Sequence, residues 1–491
     1  MYIVGVDIGT SSVKTLAVTL EHKVVASLQT AYVILEPQPG YMEQDPVVVK
    51  EAVFRTLGSL LKKIDIANVG GICFSSAMHS IMSVDATGKP LTKLLLWADT
   101  RSTAEAEELI KSGLSTELYT TCGVPVHPVT PLTKIMWLKK NQPEIFARTK
   151  KFISFKEYLF FCLFGEYVVD YSIASATGMF DIHDLQWNEK AVSLAGISME
   201  KLSTPVPVTS KYFLHNETLG RELGIGKKTP FIIGSSDGCL ANIASGIALS
   251  GDLSITIGTS AAVRVCTAKP FIDEHQGLFN YVITKDLYAC GGPSNNGGIA
   301  VKWMAENFIY DKGTALKSHP HTDELESALK EAFSITPGCD GLIFLPYLLG
   351  ERAPVWNANA KGLFYGIQFH HSRKHFARSV VEGVVMNLFV IVNKLAKQLK
   401  PGARIVASGG FVHSEQWLQL LADITDMRVC VIDQVDASAM GAAIMGWYGI
   451  GEIGSLEIEI KTDREILPRK AENAVYMKNL ELFMQLIEKL F

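Results

Sequence analysis

The chain opens with apolar runs separated by short polar breaks: YIVGVDI, then GTSS, VKTLAVTL, EHK and VVASLQT. Runs of this length, rich in Val, Ile and Leu and broken by Gly/Thr/Ser or by charged residues, predict three strands joined by tight hairpins. A helix is predicted over 46–63, followed by a buried strand, GGICFS, that ends in SAMHS. Well past the middle, the same opening is written again. SITIG leads through a turn into AAVRVCT, LYACGG follows, AVKWMAENF reads as a helix, and RIVASGG runs into a helix at 414–425. The letters IGTS stand at 8–11 and again at 257–260, each time between two apolar runs. This repeat predicts two α/β domains built on one supersecondary unit. The segment 235–255, rich in Gly, Ser and Ala, is the expected junction, because small residues permit tight turns and close approach. The domains expected are therefore 1–247 and 248–491, with a ligand in the deep cleft between them.

Composition narrows the picture. A chain of 491 residues exceeds one ordinary core, and 48% hydrophobic against 20% charged residues allows a large interior in both halves. The net charge of -4 gives no basic surplus, so nucleic acid is not an expected partner. Eight cysteines are scattered singly without metal-binding spacing, which fits reduced, buried thiols. The apolar stretch 379–399 is interrupted by Glu382, Asn387 and Asn393, so it reads as a buried helix and no membrane is expected. The sequence starts directly on a strand without a leader pattern, and a cytoplasmic location follows as the expectation. Oligomeric state is left open, a homodimer included.

Chemistry enters at the repeated turn. In GVDIGTSSVK the small residues Gly9, Thr10, Ser11 and Ser12 expose backbone N–H groups and hydroxyls that can wrap a phosphate. Asp7 at the strand end is placed to hold a hydrated Mg²⁺, and Lys14 to screen phosphate charge. Gly258, Thr259 and Ser260 supply the second turn, and two such turns on two lobes would grip a triphosphate from both sides. Taken alone, each is equally a tight hairpin. Gly409 and Gly410 in ASGGF would admit a flat base, or would simply turn a strand into a helix. Neither a Walker loop nor a dinucleotide fingerprint is present. Asp237, just past the apolar strand FIIGSS, is placed to take the proton of a substrate hydroxyl, with a helix N-cap as the alternative. His79, Trp97 with Asp99 and Arg101, and His127 with Lys134 set polar groups beside flat or apolar walls, a mixture suited to a sugar.

With these residues assembled, the chain resembles the FGGY family of carbohydrate kinases, two-lobed members of the actin-like ATPase superfamily. GLFYGIQFHHSRKHFARSVVEG (362–383) fits the family's C-terminal signature, with Gly362, Gly366, His375, Ser379 and Glu382 in place. TPLTKIMWLKKN fits the N-terminal one except for Val129, where Gly, Ser or an aromatic is usual. The resemblance implies an α/β fold of two actin-like (ribonuclease H-like) ATPase domains. It implies ATP and Mg²⁺ as cofactors and a small-molecule sugar or sugar acid as partner. It implies Asp237 as catalytic base, with Met78, His79, Trp97, Asp99 and Arg101 in the substrate pocket. It places Thr10, Ser11, Ser12, Lys14, Gly258, Thr259 and Ser260 on phosphates, and Gly298, Lys302, Gly409, Gly410 and Ser414 beside the nucleotide. SSAMHS, WADTRS, GVPVHPVTPLTKIMWL and DYSIASATGMFDI look most like the gluconate-phosphorylating branch, and xylulose kinases come next. An acid substrate would need positive partners, for which Arg101, His79, His127 and Lys134 are the candidates.

Overall fold

The computed structural model describes residues 1–309, 322–432, 436–459 and 462–491. The predicted opening hairpins form as β1 (Tyr2–Ile8), β2 (Ser12–Val18) and β3 (Val24–Ala31). The predicted helix is α1 (Pro46–Leu61), started by Pro46 and by the Asp45 carboxylate, which accepts from the Val47 N–H at 2.9 Å. Its buried face, Val49, Ala52, Val53, Leu57, Leu60 and Leu61, follows the helical period and packs against β2 and β3. GGICFS lies in β4 (Val69–Ser76), and β5 (Lys211–Tyr212) and β6 (Phe231–Ser236) complete the first sheet. Its order is β5-β6-β4-β1-β2-β3.

The repeat folds the same way. Strands β7 (Leu253–Ile257), β8 (Ala261–Thr267), β9 (Phe279–Thr284), β10 (Leu287–Ser294), β11 (Ile405–Ser408), β12 (Val429–Val431) and β13 (Arg464–Ile466) form the second sheet. Its order is β9-β10-β8-β7-β11-β12-β13. In both sheets an antiparallel three-strand unit, β3-β2-β1 or β10-β8-β7, continues into parallel strands, β4 or β11. Register makes the correspondence specific. Asp7 stands opposite Ser75 across the parallel pair of the first sheet, and Thr256 opposite Ser408 in the second. Both IGTS turns leave these strand ends, where open α/β sheets bind ligands.

Strand β1 is buried almost throughout, because it is covered on both faces. One cover is α1. The other comes from the far end of the chain, α6 (Ala437–Ile450). Before it in sequence stand α2 (Asp237–Ala244), α3 (Gly298–Met304), α4 (Arg373–Leu395) and α5 (Glu415–Thr425). Helix α3 is shorter than the AVKWMAENF reading, continuing as a π-helical turn over Ala305–Ile309. Helix α4, the long apolar stretch, is buried against the second lobe's core.

Helices α2 and α6 pack between the two sheets. One continuous core joins Ile3, Cys73 and Ile232 of the first sheet, Leu240, Ile243, Met440 and Ile444 of the helices, and Phe279, Tyr281 and Val406 of the second sheet. Small residues allow this. A Cβ on Gly441 would lie 2.0 Å from the Leu240 carbonyl oxygen, and one on Gly5 2.1 Å from that of Ala439. The small-residue segment expected as a hinge thus contains a buried, tightly packed helix. Gly441→Ala should force the two helices apart and cost about 1–3 kcal/mol, as overpacking does. Urea unfolding measures it, and an unchanged midpoint would mean that the crossing relaxes freely.

Candidate active site

The first turn is fixed by the groups around it. The Gly9 N–H donates to the Ser12 carbonyl at 3.0 Å, Tyr32 donates its hydroxyl to the Gly9 carbonyl, and Gln44 donates to that of Thr10. The Thr10 hydroxyl accepts from the Trp97 indole at 3.1 Å, and the Ser12 hydroxyl from the Gln29 amide at 2.9 Å. Ser11 remains exposed. The second turn is closed by Gly258 N–H to the Ser260 carbonyl at 2.9 Å, and α3 is anchored on it by Gly298 N–H to the Gly258 carbonyl at 2.7 Å. A Cβ on Gly298 would fall 2.7 Å from that oxygen, so only glycine permits the approach. Thr259 keeps an exposed side chain.

The two turns meet in one cleft. Thr10, Met78, His79 and Trp97 line it from the first lobe and Thr256, Ser260, Arg264, Tyr281 and Arg352 from the second, with Asp237 between them, around about 270 Å³. Asp7 accepts from the Ser75 hydroxyl at 2.7 Å, and burial followed by the charge of Asp237 pushes its carboxyl up to about 7. Burial also raises Asp237, whose carboxylate accepts the Gly238 N–H at 2.7 Å and is eased by the charge of Arg264. Lys14 is ion-paired with Asp436, which immediately precedes α6, a contact between the two halves of the chain.

A larger cavity of about 560 Å³ opens on the far side of the second turn. Gly258, Thr259, Gly298, Lys302, Gly410 and Ser414 line it, and Ile257, Ile299, Leu329, Phe411 and Trp417 give it apolar walls suited to a flat base. Gly409 stands behind this wall at φ +98°, and a Cβ there would come 2.4 Å from the Ile257 carbonyl oxygen. The Ser414 hydroxyl caps α5, accepting from the Trp417 N–H at 3.3 Å.

His79 enters the smaller cleft at φ +65°, a strained conformation for a residue with a side chain. Lys134 holds it there. This fully buried ammonium donates to the carbonyls of His79 at 3.0 Å, Leu96 at 2.7 Å and Val129 at 2.9 Å, while burial lowers its pKa to about 7. The His79 Nε2 then meets the Tyr281 hydroxyl of the other lobe at 2.8 Å.

Two parts of the expected pocket lie elsewhere. Arg101 sits on the Tyr41 ring and is neutralised by Asp99 at 2.7 Å and Glu43 at 2.6 Å, so neither Asp99 nor Arg101 lines the cleft. His127 lines a neighbouring cavity of about 430 Å³ with Trp356. Burial, reinforced by nearby cations, lowers both His79 and His127 to about 3, so they are neutral. The four expected cations are therefore corrected: two imidazoles are uncharged, Arg101 is paired, and Lys134 is spent on carbonyls. The cations that do face the cleft, Arg264 and Arg352, were not singled out in the sequence, nor were Tyr281 and Asp436. Their signals were slight: one Arg within AAVRVCT, one within GERAP, one Asp before a helix.

Lys134→Met leaves three buried carbonyls without their donor, each orphan costing about 1–3 kcal/mol. A loss of about 3 kcal/mol or more is expected in denaturant unfolding. A midpoint equal to the parent's would mean that other donors replace the ammonium.

Comparison with known proteins agrees with this geometry. The model of the N-terminal domain of the FGGY family of carbohydrate kinases matches residues 2–244, and that of the C-terminal domain 253–450. The chain is 37% identical over 489 residues to the gluconokinase of Bacillus licheniformis, covering 99% of this chain and 95% of the relative. The gluconate kinase from Lactobacillus acidophilus superposes with a TM-score of 0.93 at 31% identity, covering 100% of this chain and 98% of the other. A ligand-bound xylulose kinase from the same organism gives 0.92 at 32%, with the same coverage. Two actin-like domains, a shared cleft and matches across both halves lead to one conclusion: the chain belongs to the FGGY family of carbohydrate kinases.

Proposed function

We propose that the protein transfers the γ-phosphoryl group of ATP to the terminal hydroxyl of a sugar acid, converting D-gluconate to 6-phospho-D-gluconate. The observation that carries the reading is Asp237, a carboxylate at the start of α2 inside a small polar cleft, with both IGTS turns on its rim. Fold likeness does not separate gluconate from xylulose, since the two solved structures score 0.93 and 0.92. The nearly full-length relative named a gluconokinase favours the acid.

In this reading the sugar lies against Met78, His79 and Trp97, and the triphosphate runs from the larger cavity to the two turns. Asp237 accepts the hydroxyl proton as that oxygen attacks phosphorus. Asp7 would hold Mg²⁺, since burial and then the charge of Asp237 raise its carboxyl, a strain that a dication relieves. When bound, the ion neutralises phosphate charge. Positioning two reactants is worth about 7–11 kcal/mol, whereas a general base contributes roughly 10²–10⁴-fold, so alignment by the two lobes dominates. We divide the lobes at 247/248 and place the enzyme in the cytoplasm, with its ATP.

Asp237→Asn should keep ATP binding and lose about 10²-fold or more in kcat; near-normal turnover would remove Asp237 from this role. Because the raised carboxyl must be ionised to act, kcat/KM should fall with decreasing pH above the ordinary aspartate range of about 4. A plateau persisting to that pH would contradict the assignment. The substrate is tested by a panel of sugars and sugar acids in a coupled ADP assay. Gluconate should turn over best, and an enzyme inert toward gluconate but active on xylulose would overturn the reading.

A further inference from the structure

Two arginines face the smaller cleft from the second lobe. Arg264 lies on β8 with its Nη2 3.3 Å from the Cβ position of Gly238, beside the start of α2. Its guanidinium has no hydrogen-bond or ion-pair partner among the described residues. Arg352 stacks 4.9 Å from the centre of the Trp97 ring and donates to neutral oxygens, Asn295 Oδ1 at 2.7 Å and the Ser294 carbonyl at 3.5 Å. Its backbone N–H donates to the Glu351 carboxylate at 2.8 Å, but no carboxylate lies within 4.0 Å of its guanidinium nitrogens among the described residues, and burial lowers its pKa to about 10.

Elsewhere, buried carboxylates hold arginines closely. Arg101, Arg378 and Arg469 each meet a buried carboxylate at 2.6–2.7 Å. A partly buried guanidinium without a counter-ion is costly, and two around one small cavity compound the cost through mutual repulsion. Asp237 offsets Arg264 and Glu351 offsets Arg352 only in part, each without an ion pair to the guanidinium, and His79 is neutral, so nothing nearby pairs with them directly. An anion entering the cavity would.

We infer that Arg264 and Arg352 hold the carboxylate of the acceptor and select an acid over a neutral sugar. This rests on the sugar-acid reading above and assigns its specificity to residues of the second lobe. Guanidinium groups present paired donors that match a carboxylate, and such charged hydrogen bonds are about twice as strong as neutral ones. The acceptor then touches both lobes, its carbon chain on Trp97 and Met78 and its charge on the arginines. Binding an acid therefore favours the closed cleft, and a neutral analogue lacks that contribution.

The test compares D-gluconate with D-gluconamide, a neutral analogue of the same shape, on the parent enzyme, Arg264→Gln and Arg352→Gln. The expected result is a fall of about 10- to 100-fold in the gluconate-to-gluconamide ratio of kcat/KM in at least one variant. Thermal unfolding and ATP binding report whether each variant is folded, and the ratio itself cancels any general loss of activity. A ratio equal to the parent's in both variants overturns the inference, including the case where both substrates weaken together. If the parent enzyme does not phosphorylate gluconate at all, the sugar-acid reading fails. If it does and the ratio stays constant, only the arginine assignment fails.

Discussion

At the crossing of α2 and α6, Gly441 comes so near Leu240 that an added methyl would sit 2.0 Å from its carbonyl oxygen, and both sheets pack on this helix pair. The spacing sets everything above it. Helix α2 begins at Asp237 and α6 follows Asp436, so the crossing fixes where two of the three carboxylates near the turns stand. Each helix also touches the sheet of the opposite half: α6 covers β1 and β4, and α2 contacts β8. The two IGTS turns face one another because their strands are held by the same pair of helices. Interiors pack too densely to absorb a change here locally.

Charge in the cleft is sorted by position. Asp7, Asp237 and Asp436 gather near the turns, with Lys14 on Asp436 and Arg264 beside the start of α2, whereas Arg352 stands over Trp97. Both groups are partly desolvated, which raises Asp7 and Asp237 and lowers Arg352. A cleft organised in this way carries an electrostatic cost that a dication with phosphates, and an anionic acceptor, would offset. Buried hydrogen bonds hold the geometry between them: Lys134 pins the His79 loop through three carbonyls, and His79 meets Tyr281 across the lobes.

Much of the fold was legible because its signals are local. Continuous apolar runs broken by Gly/Thr/Ser mark strands covered on both faces, and writing the unit twice identifies two related sheets. Helix α1 carries its own start in Asp45-Pro46 and its own face in a helical period. The glycine turns were legible for the same reason, since Gly258, Gly298 and Gly409 mark places where backbone meets backbone. The sugar pocket was read less accurately. Arg101 and Asp99 have the right chemistry, but they satisfy each other two residues apart and never reach the cleft.

By itself, then, the sequence determined two α/β units, two glycine turns and a carboxylate at the end of an apolar strand, because each is written within a few consecutive residues. Only the tertiary structure decided which charges are free. Arg101 and Lys134 are cations in the sequence and are consumed by Asp99, Glu43 and three carbonyls in the fold. Arg264 and Arg352 are inconspicuous in the sequence and stand without a carboxylate partner where the lobes meet. Whether a charge is available depends on what surrounds it, and those surroundings come from segments as distant as Thr10, Asp237 and Arg352.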